Sequence, residues 1–534
     1  MTEVQTFDAV LARAVGRHPD RRAIVFPDEQ MRFRELDARI DAIAAGLIGM
    51  GVLPGSTVAT LMPNCIDHVA AQFAGFRIGA RVLPINTRFR RQELVHVLKD
   101  SGAGVVLTSM KGAEFSNLPQ RLHEALGLHG PGRTAIDSAE FPDLHHLVVL
   151  GAGGYSDMQD EAALVAAGSS VDPNAVKEFR ESVTGEMPAI MLYTSGTTSA
   201  PKGCPLRNDQ MVSVGLQVGE RLGATDGDVL WDALPLFHAS SLLPMLAVWS
   251  VDGTFVSQAT PEPQLSLEMI ERERPNLLWP AFTQIWQSIL ADKRFDPVFL
   301  TAARAVLCIG PLETVELLQS RHPRAAILSC YGITEGSGLP AMARWDDEPA
   351  VRLGTGGFPM DGIEARVVDP FTRSLQPADT VGALHIRGEN VFGGYWNAGL
   401  DVASFDADGW FDTGDLATRD AAGRVTYQGR LKDMLKVGGE NVAAIEIEAL
   451  ISTHPSVKIV AVIGVPDDKL GEVPAAFVEL HDGAVCEAEE LKSFCAERVA
   501  SFKVPRHVRF LTEWPMSATK IRKVDLREQF AMHR

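Results

Sequence analysis

The chain has 534 residues, 46% of them hydrophobic and 22% charged, and a formal net charge of -18. That length exceeds what one ordinary core organises, and the balance is that of a folded globular protein of at least two domains. The acidic excess excludes nucleic acid or an anionic membrane as the main partner, since both select a basic surface. Six dispersed cysteines (Cys65, Cys204, Cys308, Cys330, Cys486 and Cys495) include no C-x-x-C pair, so neither a zinc site nor a disulfide framework is expected. The opening MTEVQTFDAV lacks the basic and apolar segments of a signal peptide, and no apolar run is long enough to span a bilayer. The expected compartment is the cytoplasm.

In chain order, Phe33 to Leu47 repeats apolar residues at three- and four-residue spacing, which predicts a helix buried by one face. Thr57–Met62, Val105–Leu107 and Leu147–Leu150 are short apolar runs between turn residues and read as buried strands. Strands alternating with helices predict an α/β fold with mostly parallel sheets and helices on both faces. Residues 151–175 read as a surface connection with one short helix. From about Asp361 to Tyr427, short strands and turns such as Asp408-Gly409 predict an antiparallel, barrel-like element. Beyond Arg430 the pattern becomes helix (Ala443–Ile451), strand (Lys458–Val465), strand (Ala475–Leu480) and helix (Glu487–Ala500), a small α+β unit. The expected division is 1–431 and 432–534, and no solenoid repeat is present.

The strongest local signal is Tyr193-Thr194-Ser195-Gly196-Thr197-Thr198-Ser199-Ala200-Pro201-Lys202-Gly203, which follows the strand-like run Ala189–Leu192. Closely spaced N–H and O–H donors with one lysine suit a polyphosphate. The spacing is not that of a Walker A loop. For composition alone, a Ser/Thr/Gly-rich turn is the bland alternative.

This segment resembles the signature of adenylate-forming enzymes: acyl-CoA synthetases, aryl-CoA ligases, luciferases and peptide-synthetase adenylation domains. Five further segments resemble that family's motifs in its order. They are Pro235-Leu236-Phe237-His238, Tyr331-Gly332-Ile333-Thr334-Glu335, Trp410-Phe411-Asp412-Thr413-Gly414-Asp415, Gly429–Asp433 with Lys436–Asn441, and Pro515–Ile521. The acyl-CoA synthetases are the nearest branch.

The resemblance implies roles for particular residues. ATP would be held by Thr194, Ser195, Gly196, Thr197, Thr198 and Lys202, with Tyr331 on the adenine and Gly310, Pro311 and Gly332 close to the base. Thr334 would bond the α-phosphate, Glu335 would ligate Mg2+, Asp415 would contact the ribose, and Arg430 would add a contact near the ribose or phosphates. Lys520 would stabilise the charge that grows as the substrate carboxylate attacks the α-phosphorus. With Glu335, His238 and Thr194 it makes up the expected catalytic set. Lys432 would be the hinge between two orientations of the C-terminal domain. Lys436, Gly438 and Gly439 would line the tunnel for coenzyme A. The acyl pocket would be built from His238, Ala281, Phe282, Gly336, Gly338 and Leu339, whose apolar character favours a hydrophobic acid.

Two positions depart from the family pattern. Lys520 follows Thr519 directly where the family has glycine, which leaves Lys523 as its competitor, and Ser199 replaces a glycine of the phosphate loop. The expected reaction is activation of a carboxylic acid to acyl-AMP with release of pyrophosphate, then transfer to coenzyme A. Two alternatives stay open here: an acyl-AMP ligase that loads a separate carrier protein, and a non-catalytic nucleotide-binding protein. Beyond the small molecules, a carrier protein and a second copy of the chain are the partners left open.

Overall fold

The computed structural model of this protein describes residues 5–127, 140–155, 157–194, 201–397, 405–437, 440–467, 469–516 and 521–532. By internal contacts the chain forms two compact units, Met1–Glu364 with Ile386–Asp406, and Ala365–His385 with Ala407–Arg534.

Two seven-stranded sheets organise the first unit. One runs in the order Ala326–Leu328, Ala305–Ile309, Leu277–Phe282, Val229–Asp232, Thr254–Val256, Arg22–Val25, Gln30–Arg32. The other runs Gln159–Asp160, His146–Leu150, Ala103–Ser109, Thr57–Leu61, Arg81–Pro84, Pro188–Thr194, Lys202–Arg207. Each is parallel except for one antiparallel strand at an edge. Parallel sheets are covered on both faces, which is why Thr57–Leu61 is a run of buried residues without alternation.

The helix expected from Phe33 extends to Gly49 and buries Phe33, Leu36, Ile40, Ile43 and Leu47. Its start is fixed where Glu35 accepts a hydrogen bond from the Arg32 amide at 2.8 Å. The stretch 151–175 contains the helix Glu161–Ser169, with another, Ala175–Ser182, directly after it. Glu161–Ser169 lies so close to Phe33–Gly49 that a Cβ on Gly49 would sit 2.2 Å from the Ala167 carbonyl oxygen.

In the second unit, Glu364–Val368, Gly382–Arg387, Phe411–Arg419 and Val425–Arg430 form a four-stranded sheet that reaches back to the unit boundary. This sheet is the element expected from about Asp361 to Tyr427. The C-terminal helices and strands expected from the sequence are present as Ala444–Ser452, Val457–Asp467, Gly471–Leu480 and Ala488–Ala496. Met434–Val437, Glu440–Ala443 and His507–Phe510 complete a five-stranded sheet, and Lys523–Met532 is a further helix. Phe477, Val462, Ile447 and Leu526 lie in its core.

All six cysteines are buried and none is in a disulfide. Among the described residues, no helix is long and apolar enough to cross a membrane.

Candidate active site

Four parallel strands of the first sheet deliver the motif residues at their carboxyl ends, where open α/β sheets bind ligands. Val229–Asp232 leads into Pro235–His238, and Leu277–Phe282 ends on Ala281 and Phe282. Ala305–Ile309 runs into Gly310 and Pro311, and Ala326–Leu328 is followed by Tyr331, Gly332 and the short 3-10 turn Thr334–Gly336.

The turn before His238 is pinned from three sides. Asp232 is fully buried and accepts hydrogen bonds from the Leu234 amide (3.1 Å) and the Ser241 hydroxyl. Burial pushes its carboxyl up to about 8. Asn64 donates to the Leu234 carbonyl and accepts from the Leu236 amide, both at 2.8 Å, and Gln72 donates to the Leu236 carbonyl at 3.1 Å. His238 caps the helix Ala239–Trp249, its ring 4.6 Å from that of Phe237.

The predicted acyl-pocket segments come together in this unit. A Cβ on Gly338, whose φ is +92°, would lie 2.9 Å from Leu243 and 3.0 Å from Ala239, so this loop packs on the helix that follows His238. Gly336 is glycine for a similar reason, with Pro340 2.7 Å from its would-be Cβ. Leu339 is buried. Ala281 holds φ +60°, a left-handed conformation unusual for a residue with a Cβ. Thr283 lies 2.3 Å from where a Cβ of Gly310 would be, which brings this segment against the predicted adenine-side backbone. Gly332 faces the Gly338 carbonyl oxygen, 3.2 Å from its would-be Cβ.

Thr194 and Lys202 end and begin the two strands of an antiparallel hairpin, and they are register partners. Ser195, Gly196, Thr197 and Thr198, and Ser199 with them, lie outside the described residues. The base of this hairpin is fixed by Tyr193 with two residues outside the motifs, Asp100 and Trp396. Tyr193 donates to Asp100 at 2.6 Å, and burial beside that carboxylate raises its phenol above the ordinary range. Trp396 donates its amide to the Gly203 carbonyl (2.7 Å) and its indole N–H to the Asp100 carbonyl (2.9 Å).

Glu335 is buried, and Tyr395 donates to its Oε1 at 2.6 Å. Lys202 Nζ stands 5.0 Å from the centroid of the same tyrosine ring. A buried carboxylate beside a lysine is a donor set that suits a hard cation and the phosphates it would bridge, so Glu335 fits a Mg2+ ligand. An aromatic pair directly after Gly393-Gly394, in a stretch with no helix or strand period, is the signal that could have exposed Tyr395 and Trp396.

The second unit holds the other predicted residues. Asp415 is buried in the strand Phe411–Arg419, opposite Arg430 in register, and the two form an ion pair at 2.8 Å. Thr413 donates to the Leu384 carbonyl at 2.7 Å and accepts from the Asp415 amide at 3.1 Å, which orients the aspartate. Lys432 lies in the 3-10 turn Leu431–Asp433, and burial lowers its pKa, with Arg430, Arg527 and Lys523 adding to the effect. Lys436 is on the strand Met434–Val437, and its amide donates to Glu472 at 2.8 Å. Gly438 and Gly439 lie outside the described residues, as does Lys520. The ends of the Lys520 loop are described: Met516 pairs with Ile521, and the Arg522 amide donates to the Pro515 carbonyl at 2.7 Å. Lys523 is engaged elsewhere, 2.7 Å from Glu448 and 3.9 Å from Asp433.

Comparison with known proteins identifies the family. Residues 11–396 match the family described as AMP-binding enzyme, and residues 446–520 match the AMP-binding enzyme C-terminal domain. A 7a-methyl-1,5-dioxo-octahydro-indenyl propanoyl:CoA ligase of Mycobacterium tuberculosis is 32% identical over 99% of this chain and 99% of its own. The mitochondrial medium-chain acyl-CoA ligase ACSF2 of Danio rerio is 29% identical over 98% of this chain and 88% of its own. Among solved structures, the anthranilate CoA ligase AuaEII in complex with anthranoyl-AMP superposes with a TM-score of 0.84 at 25% identity, covering 98% of this chain and 97% of that one.

Proposed function

Because this chain belongs to the AMP-binding enzyme family, we propose that it is an AMP-forming acid–thiol ligase that converts a hydrophobic carboxylic acid to its coenzyme A thioester. The observation that carries the reading is the meeting of Lys202 and Glu335 at one tyrosine, beside strand ends that bear Tyr331, Gly310 and His238.

In the first half-reaction a carboxylate oxygen of the acid attacks the α-phosphorus of ATP. The bond from that phosphorus to the bridging oxygen breaks, and pyrophosphate leaves. Lys202 and the hydroxyls of the phosphate loop hold the polyphosphate, while Tyr331 and the bare backbone at Gly310 and Gly332 take the base. Glu335 would hold Mg2+, which when bound neutralises phosphate charge. Asp415, already oriented by Thr413, suits the ribose hydroxyls. Lys520 supplies the charge that stabilises the transition state. In the second half-reaction the sulfur of coenzyme A attacks the acyl carbon, the bond to the AMP oxygen breaks, and AMP departs. Lys432 is the hinge for the change between the two, and Lys436, Gly438 and Gly439 flank the pantetheine arm.

Buried Phe237, Ala239, Leu243 and Leu339 around the predicted acyl pocket support a hydrophobic acid. Six free, buried cysteines are in keeping with a cytoplasmic setting.

Acid-dependent ATP–pyrophosphate exchange tests the first half-reaction over a panel of medium-chain, alicyclic and aromatic acids. Exchange with none of them would leave a non-catalytic nucleotide-binding protein. Thioester formation is then followed with free coenzyme A and, separately, with a phosphopantetheinylated carrier protein. Transfer only to the carrier would replace the coenzyme A acceptor and leave adenylation standing.

A further inference from the structure

Nothing in the motif reading assigns the segment Phe392–Trp396, yet it touches both halves of the phosphate site. Its start and its middle reach the same glutamate: the Phe392 amide donates to the Glu335 carbonyl at 2.8 Å, and the Tyr395 hydroxyl donates to Glu335 Oε1 at 2.6 Å. Gly394 makes this possible with φ +124°, a conformation that side chains resist. The Phe392 and Tyr395 rings then meet edge to face with centroids 4.9 Å apart. The end of the segment reaches the phosphate hairpin, where the Trp396 amide donates to the Gly203 carbonyl at 2.7 Å. Between these anchors the face of the Tyr395 ring receives the Lys202 ammonium, 5.0 Å from its centroid.

We propose that Tyr395 is a positioning residue for adenylation, fixing the metal-ligand carboxylate of Glu335 through its hydroxyl and the phosphate-binding ammonium of Lys202 through its ring. The inference rests on the nucleotide reading given above. A carboxylate that binds a cation through one oxygen is oriented when its other oxygen accepts a hydrogen bond, and loss of such partners costs roughly 10–100-fold in metal affinity. Tyrosine alone among the residues supplies a hydroxyl of that reach together with a π face for the lysine.

The test is equilibrium binding of ATP by calorimetry, once with Mg2+ and once with EDTA. The wild type should bind more tightly with Mg2+. Tyr395→Phe keeps the ring and removes only the hydroxyl, so the Mg2+-dependent gain should fall about tenfold while metal-free ATP affinity stays within about twofold. Tyr395→Leu removes the ring as well and should weaken metal-free ATP binding too. On a Glu335→Gln background, Tyr395→Phe should add almost nothing, because its effect passes through that carboxylate.

An unchanged Mg2+-dependent gain in Tyr395→Phe, or full additivity with Glu335→Gln, overturns the Glu335 half of the proposal. Unchanged metal-free binding in Tyr395→Leu overturns the Lys202 half. Failure of the wild type to bind ATP at all overturns the underlying nucleotide reading, and is thereby told apart from failure of Tyr395.

Discussion

Lys520 and Lys523 show how far a lysine can be judged by its neighbours. Lys523 is held by Glu448 and Asp433, so its charge is already engaged within its own unit. Lys520 is therefore the residue expected to serve adenylation. Lys520→Ala should lower acid-dependent pyrophosphate exchange by on the order of a hundredfold, while thioester formation from supplied acyl-adenylate persists. Intact exchange would refute the role. His68 makes a different kind of prediction. It is fully buried between the Thr60 hydroxyl (3.1 Å) and the Pro63 carbonyl (3.2 Å), and burial pushes its pKa down to about 4. Below pH 6.5 the unfolded chain takes up a proton that the folded chain refuses. The contribution is therefore complete above about pH 6.5 and lost as pH falls toward 4, on the order of 3 kcal/mol. His68→Gln can keep both hydrogen bonds and should flatten that part of the melting-temperature profile. An identical profile would show that the imidazole does not titrate in this window. Motif residues were legible in the sequence because their order is distinctive. Tyr395 and Asp232 were not, because their partners Glu335 and Ser241 become neighbours only through the fold.

Helix Phe33–Gly49 and its partner Glu161–Ser169 show the same limit one level up. The apolar period gave the first helix and its buried face, but not the glycines that set how closely the pair approaches. Gly46, Gly49 and Gly168 lie where the helices touch, and a Cβ at any of them would fall within 3.0 Å of the facing helix. Two effects compete in Gly49→Ala. Helix propensity favours alanine by up to about 1 kcal/mol. The new methyl would stand 2.2 Å from a backbone oxygen that cannot rotate away, and such overpacking costs about 1–3 kcal/mol. The clash should prevail, so the melting temperature should fall by several degrees, with pyrophosphate exchange at 25 °C little changed. A higher melting temperature would mean that the helix pair yields easily. Parallel strands were legible as short apolar runs, whereas Met434–Val437 and His507–Phe510 were not. Both mix charged residues into short strands and acquire their pairing from long-range register.

At the scale of the whole molecule, reading from end to end suggests one cut at 431/432, while contacts group 365–385 and 407–431 with the C-terminal residues. Chain order cannot show this, because the grouping follows from strands returning to one sheet. The hinge role of Lys432 concerns motion, and kinetics can decide it. Lys432→Pro fixes φ and removes a backbone donor in the Leu431–Asp433 turn. It should slow thioester formation by tenfold or more relative to pyrophosphate exchange. Equal loss in both half-reactions would argue against a hinge.

An acyl-adenylate is an electrophile that any accessible thiolate could intercept, including the enzyme's own. Burial raises the thiols of Cys65, Cys308 and Cys330 to about 12 and those of Cys486 and Cys495 to about 11. Cys204, two residues from Lys202, is raised as well, by burial and then by the charge of Glu335. At neutral pH no more than about one in ten thousand of the Cys65, Cys308, Cys330, Cys486 and Cys495 thiols is ionised. The enzyme's own buried thiols are therefore poor nucleophiles toward such an intermediate, and acylation is left to the thiol of its substrate.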